Sequence, residues 1–426
     1  MQLYYFLAVV LSLSLGSLPP ADRSVLHAAY FSLATVAAWW LLCGLSTRMV
    51  IGLVSNGEVS QPTAAESFFR QTQGLRWLAL ALVGLMVGGF GFGRTQGGIS
   101  EIGMAAQAVA LLSPAILLLL GLWAAECYFA VSMGWEEPGI RSSMRSIWEV
   151  ARLSIGWLVA PVILLLAALD VVAAMNVAAL LRNDSWWTVA SVSVLGLAAF
   201  AGLLVVGIPF LVRQMFVTEK IEASTEQWMR DVLFSVGLPR CKLLRWQTHS
   251  TTFNAMVAGI IGPFRVMVLS DRLIDELPKQ QLAMVMLHEV AHAKRRHVAL
   301  RLAIVVPAWS LGILAQMTLQ QSEWGSAIGL DAWSTAIGSG LSLLATLVAL
   351  RLASYWIEFD ADRVACRLAA TSAQDCNDVP NNDASAAREL AEALRKVSPS
   401  DMPLSKRSWM HPSIQERVER LTGSTG

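Results

Sequence analysis

Charge is scarce in this sequence. Asp, Glu, Lys and Arg make up 15% of its 426 residues, against 55% for hydrophobic ones, whereas a soluble globular chain carries about 25% charged residues. So small a share excludes a wholly water-facing surface and makes lipid the solvent for much of the chain. An excess of one sign is also missing. The 32 basic and 31 acidic residues leave a net charge of +1, so no electrostatic footprint points to nucleic acid. Cysteine is sparse: five residues, at 43, 127, 241, 366 and 376, include no C-x-x-C pair. That odd, scattered set excludes a disulfide framework and fits a reducing compartment for the polar part of the chain. Lys and Arg are absent from Met1 to Phe6, so the apolar N-terminus reads as a first membrane span, not a secretory signal. A phosphate-binding loop is lacking too. Gly84, Gly88, Gly89, Gly91 and Gly93 come without the strand and the Lys such a loop needs, and read as close helix packing.

Long apolar runs, by contrast, are abundant. A hydrocarbon core of about 30 Å takes roughly 20 apolar residues per helix. Runs of that kind lie at 1–18, 25–47, 75–93, 102–124, 155–181 and 186–212, and two more at 300–320 and 328–352. Arg placement orients them. With the N-terminus inside, the inner loops hold Arg48, Arg70, Arg76, Arg141, Arg145 and Arg152, while the outer ones hold only Arg23, Arg94 and Arg182. By the positive-inside rule the polar region is then cytoplasmic. Trp39-Trp40 and Trp186-Trp187 are expected at membrane interfaces. Asp170, in mid-span, is either functional or a buried structural group facing Asn176 or another helix.

Between 213 and 299, and again after 353, the composition turns polar. A soluble domain is therefore split around a two-helix membrane hairpin. In its first part, 219–235 reads as an amphipathic helix. Lys242 to Trp246, Asn254 to Ala258 and Arg265 to Leu269 read as strands, with Gly262-Pro263 as a turn. Pro278 is expected one residue inside a long helix, where its missing N–H is harmless. In the second part, 385–397 reads as a short helix with Glu392 placed to pair with Lys396.

The long helix carries Leu287-His288-Glu289-Val290-Ala291-His292. His288 and His292, one turn apart, project from the same face, so both imidazoles can reach one tetrahedral metal ion. Glu289 is placed to take a proton from an attacking water and return it to a leaving amine. A catalytic zinc keeps three protein ligands and one open position. Glu358, at the start of a polar helix continuing the last span, is the candidate third ligand, with His411 its rival on spacing alone. Asp362, four residues on from Glu358, can hydrogen-bond the outer nitrogen of a ligand histidine, or merely pair with a surface Arg. Asp360 points away from that face and is expected to be solvated.

Residues from about 219 to 420 resemble the HtpX and CAAX-prenyl-endopeptidase family of membrane gluzincins. The resemblance rests on four features in order: Asn254-Ala255-Met256-Val257-Ala258-Gly259; the zinc helix with His297 five residues after His292; Glu358 with Asp362; and His411-Pro412 with Arg417. The hairpin inserted between zinc helix and third ligand is similar as well. The resemblance implies one Zn2+ per chain, held by His288, His292 and Glu358, with Glu289 as catalytic base and Asp362 behind a ligand. It implies that Asn254, Ala255, Met256, Val257 and Ala258 form the edge strand beside the substrate. His411 and Arg417 then contact substrate or oxyanion, and His297 anchors the end of the zinc helix. The N-terminal spans outnumber those of the family's better-known layouts.

Together these readings give a mostly α, polytopic membrane protein of about eight spans with a split, cytoplasmic, zincin-like α+β peptidase domain. Its divisions fall at 1–212, 213–299, 300–352 and 353–426. The expected activity is endopeptidase cleavage of a polypeptide substrate, a membrane-associated or misfolded protein, at the lipid bilayer, with no nucleic-acid partner. Processing near a lipidated C-terminus, or signalling through a protease-like receptor, are the alternatives.

Overall fold

The structure, a computed structural model, describes residues 2–16, 18, 24–93, 103–174, 202, 207–250, 252–259, 261–327, 329–398 and 403–423. The chain divides into two compact units, Met1–Leu197 with Leu311–Leu343, and Ala198–Ser310 with Leu344–Gly426.

The first unit is helical: α1 (Gln2–Leu15), α2 (Val25–Ser55), α3 (Gln61–Gly84), α4 (Met104–Ser132), α5 (Ile140–Ala151) and α6 (Trp157–Ala174). Among the described residues five helices of the chain are long and apolar enough to cross a membrane, or six if the pair bent by 65° at Ile140–Gly156 and Leu158–Leu164 is one span. Of the eight runs expected, 186–212 lies almost wholly outside the described residues, as do Trp186, Trp187 and Asn176. The first run forms α1, whose 14 residues extend about 21 Å, short of a hydrocarbon core of about 30 Å.

Four side chains here are placed by contacts between helices. Trp39 is 1% exposed and donates from Nε1 to the Leu118 carbonyl at 2.8 Å, with Trp40 donating to Leu117 at 3.0 Å. Gly121 leaves room for both indoles, since a Cβ there would meet Trp40 at 2.9 Å. These tryptophans tie α2 to α4. Arg76 is not in a loop but inside α3, buried and paired with Glu126 at 2.7 Å. Asp170 receives the backbone N–H groups of Met104 and Ala105 at 2.8 and 2.9 Å. It supplies the acceptor that the first turn of α4 otherwise lacks, a structural role.

In the second unit α7 (Ile208–Met215) leads into β1 (Thr218–Glu219), α8 (Ala223–Ser235), β2 (Lys242–Trp246), β3 (Ala255–Ala258) and β4 (Val266–Ser270). The sheet order is β1-β2-β4-β3, with β2 parallel to β4 and β3 antiparallel to it. All five residues of β4 are buried, as its unbroken apolar run requires of a central strand. The β3–β4 connection depends on Gly259. Its φ is +101° and a Cβ would meet the Phe264 carbonyl oxygen at 2.8 Å. Along the chain there follow α9 (Asp271–Glu276), α10 (Lys279–Lys294), α11 (His297–Gln321), α12 (Glu323–Ala327), α13 (Ser334–Ser372), α14 (Asp383–Val397) and α15 (Ile414–Gly423), of which the stretch Leu311–Leu343 belongs to the first unit. Apolar residues of α8, β4, α10 and α14, among them Met229, Leu269, Met286 and Leu390, form one core.

Some boundaries shift. The helix expected from 219 begins at Ala223, because Thr218–Glu219 pairs with β2 instead. Pro278 stands at the N-cap of α10, one position outside the helix. Glu392 pairs with Arg395, three residues on, while Lys396 donates to the Glu276 carbonyl.

Candidate functional site

Helix α10 is anchored by Leu282, Met286, Leu287 and Val290 in the core, and this fixes the rotation of its remaining face. On that face the Nε2 atoms of His288 and His292 lie 3.1 Å apart, with the rings 83° from parallel. From α13, Glu358 brings Oε2 to 3.6 Å from His288 Nε2 and Oε1 to 3.7 Å from His292 Nε2. Among the described residues, His288, His292 and Glu358 form the one group of three whose ligand atoms could hold a metal ion. Two ligands each about 2.0–2.1 Å from a tetrahedral zinc lie about 3.3 Å apart, and the three separations bracket that value. The donor set fits the ion. His411, the rival on spacing, is outside the group. Its Nδ1 lies 3.2 Å from Glu358 Oε1 and its side chain is 54% exposed.

Both histidines are held from behind. His288 Nδ1 lies 2.9 Å from Asp362 Oδ1, and Asp362 in turn accepts both Nε and Nη2 of Arg417, at 2.8 and 2.6 Å. Asp362 and Arg417 are buried, so this is no surface ion pair. Arg417 also reaches Glu358 Oε2 at 3.4 Å. His292 Nδ1 lies 3.0 Å from His297 Nδ1, and His297 Nε2 is 3.2 Å from Asp360. Asp360, expected to be solvated, is 11% exposed and also accepts Arg295 Nε at 2.9 Å. The helix turns it toward α10, not water. Engaging each outer nitrogen aims Nε2 at the shared point. Two residues escaped notice in the sequence. Arg301 brings Nη2 to 3.8 Å from Glu358 Oε1; the only clue was its place one turn after His297 in α11. Arg295 had no signal beyond its charge.

Electrostatics complete the picture. Burial, and then the charge on His288, push His292 down to about 3, so it is neutral at ordinary pH, as a metal ligand must be. Burial alone would lower His288 as well, but hydrogen bonds to Asp362 and Glu358 outweigh it and hold the imidazole at about 9. Those same carboxylates hold the imidazole in place, and a metal ion at Nε2 takes the position of its proton. Burial pushes the Glu289 carboxyl up to about 7, against the pull of His288. Its carboxylate also takes a hydrogen bond from the Val257 backbone.

That contact places β3 beside the site. As the last strand in the order, β3 has one free edge. Ser270 N donates to the Asn254 carbonyl at 2.9 Å, so position 254 faces β4. By antiparallel alternation Met256 and Ala258 do likewise, and the backbone groups of Ala255 and Val257 face the open edge.

Two histidines a turn apart and a carboxylate from a later helix as metal donors, with a glutamate between the histidines as base, are the arrangement of the gluzincin class of metallopeptidase sites. Residues 219–425 match the model of Peptidase family M48. A protease HtpX homolog of Acaryochloris marina is 27% identical over 199 residues, 40% of this chain and 62% of that protein. One from Syntrophobacter fumaroxidans is 28% identical over 212 residues, 45% of this chain and 73% of that protein. The chain thus spans less than two thirds of the length of the Acaryochloris relative. Among solved structures, Ste24p of S. mikatae aligns at a TM-score of 0.48 and 16% identity, covering 94% of this chain and 99% of that one.

Proposed function

We propose that the chain is a zinc-dependent endopeptidase of the membrane, hydrolysing peptide bonds of membrane-associated or misfolded polypeptides, with one Zn2+ held by His288, His292 and Glu358. The observation that carries this reading is the Glu289 carboxylate, set next to the three converging ligand atoms and hydrogen-bonded to the free-edge strand. When bound, the zinc supplies Lewis acidity at the scissile carbonyl. The protein's own groups do the rest. A substrate segment adds to the outward backbone groups of Ala255 and to the Val257 carbonyl in extended form, so main-chain bonds hold it and sequence preference is broad. Glu289, poised near neutrality, takes a proton from the attacking water and delivers it to the leaving nitrogen. His411, exposed and within reach of Glu358, is placed to donate toward the developing oxyanion. Arg417 is committed to Asp362 and Glu358 and acts as a positioning residue. His297, with Asp360 behind it, orients His292.

The exposed arginines support a cytoplasmic active site. With Arg76 buried, Arg48, Arg70, Arg141 and Arg145 remain exposed near the ends of helices expected to face inward. Chelation tests the reading. Purified full-length protein in detergent should lose cleavage of an unfolded polypeptide on complete metal removal and regain it with one equivalent of Zn2+. Cleavage that survives complete metal removal would overturn it.

A further inference from the structure

Behind the metal centre, on the far side of the Asp362–Arg417 pair, lies a cavity of ≈ 270 Å³. It is formed where α13, α14 and α15 meet, and no step of the hydrolysis uses it. Its lining is charged in a lopsided way. Arg363 and Arg367 enter from α13 and Arg420 from α15. Two carboxylates share the lining, Asp362 and Asp383, but Asp362 is already neutralised by Arg417 at 2.6 Å. Three guanidiniums against the one remaining carboxylate, Asp383, leave two uncompensated positive charges. Among the described residues, Arg363 and Arg367 take part in no ion pair, and Arg420 is held by the face of Phe359, 3.8 Å from the ring centroid.

That distribution leaves an exposed concave patch of positive charge with few protein partners. Arg363 and Arg367 are four residues apart on one helix face, where like charges repel. Elsewhere in this unit exposed arginines at the same spacing pair with glutamates, as Arg230 does with Glu226 and Arg272 with Glu276. Asp383 does not relieve the pair: as the first residue of α14, it is satisfied where it stands by the helix N-terminus. Planar, multi-donor guanidiniums from two helices are matched to tetrahedral oxyanions. The volume falls just below the range of about 300–1,000 Å³ typical of drug-sized ligands, which suits a small phosphorylated group.

We infer that this cavity binds a phosphate-bearing anion, with Arg363, Arg367 and Arg420 as its donors. The site adjoins the Asp362–Arg417 pair that supports His288, so an occupant stands one ion pair away from the metal centre. Its source is either a free phosphate compound or the headgroup of an anionic lipid.

The test is calorimetric titration of the zinc-loaded, full-length protein in detergent with inorganic phosphate, using chloride at equal ionic strength as the control. Saturable binding is expected, at least tenfold weaker in the double variant R363Q/R367Q. Gln is a good helix former at these exposed positions, and unchanged zinc content and unfolding temperature verify that the variant is folded. No saturable phosphate binding, or equal binding by wild type and variant, overturns the inference. A second arm adds short-chain phosphatidic acid. Competition with phosphate identifies a lipid headgroup as able to fill the site, whereas binding of phosphate without lipid competition assigns it to soluble phosphates. Either result requires the arginines.

Discussion

His288 and His292 face the same point, but their supports differ in kind. His288 leans on a carboxylate, Asp362, which is itself clamped by a buried Arg417. His292 leans on a second imidazole, His297, which leans on Asp360. Asp362→Asn keeps the shape and removes the charge, leaving Arg417 buried without its counter-ion. Zinc affinity should fall about 10–100-fold, the usual effect of losing such a partner, measured by competition with a chromogenic chelator. Equal affinity would show that Asp362 does not support the metal site. Much of this was legible in the sequence, because helical spacing alone put His288, His292, Glu358 and Asp362 on their faces. Asp360 and Arg301 were not. Their positions depend on how α13 and the start of α11 meet α10, and no period within one segment encodes such a meeting.

A carboxylate far from the metal makes a residue-scale case for pH. Asp271 accepts the backbone N–H groups of Thr248, Ser250 and Arg272 at 3.0, 3.2 and 2.7 Å, as well as the Thr248 hydroxyl. Burial would raise its pKa, but these bonds outweigh burial and bring it from 3.8 down to about 2. A carboxyl depressed in the folded state stabilises above its unfolded pKa and loses that stabilisation as pH falls. The contribution, about 2 kcal/mol, should be whole above pH 4 and vanish as pH falls through about 2. Denaturant unfolding of wild type and Asp271→Asn should differ by that amount at pH 6 and converge in strong acid. A difference that persists in acid would refute the assignment.

At the scale of elements, the edge strand is the part of the peptidase unit built for a partner. Asp271 holds the turn before it, where His249 and Ser250 both have positive φ, 53° and 57°, a conformation L-residues adopt only when the surroundings impose it. Gly259 holds the turn after it. Strand β3 is therefore fixed at both ends while its outer edge stays open. Ala255→Pro deletes one outward N–H without touching the pairing with β4, and proline is tolerated on an edge strand. One hydrogen bond is worth about 0.5–1.5 kcal/mol, so KM should rise about 2–10-fold with kcat and zinc content little changed. An unaltered KM would mean that substrate does not lie along this edge. The sequence showed the strands by their apolar runs and the Gly-Pro turn, but not β1, whose two residues, Thr218 and Glu219, carry no periodicity at all.

At the scale of the whole molecule, two solvents shape the chain. In the first unit lipid takes the place of water, and two of the charged groups there have partners within the protein: Arg76 pairs with Glu126, and Asp170 with the amides of α4. Such pairing is what a medium of low dielectric demands. Composition announced this solvent at once, yet it misjudged Arg76, since an apolar run records that a helix is in lipid and not which of its faces meets another helix. Helix α13, of 39 residues, is about 58 Å long. It outlasts a hydrocarbon core of about 30 Å, and its polar end carries Glu358. Metal, base and edge strand then converge on one centre, and the account stands or falls on the group that does the chemistry there. The most direct measurement compares cleavage of an unfolded polypeptide by wild type and Glu289→Gln at equal, verified zinc content. The account predicts one zinc per chain in both and a loss of about 10²–10⁴-fold in kcat for the variant; turnover equal to wild type would contradict it.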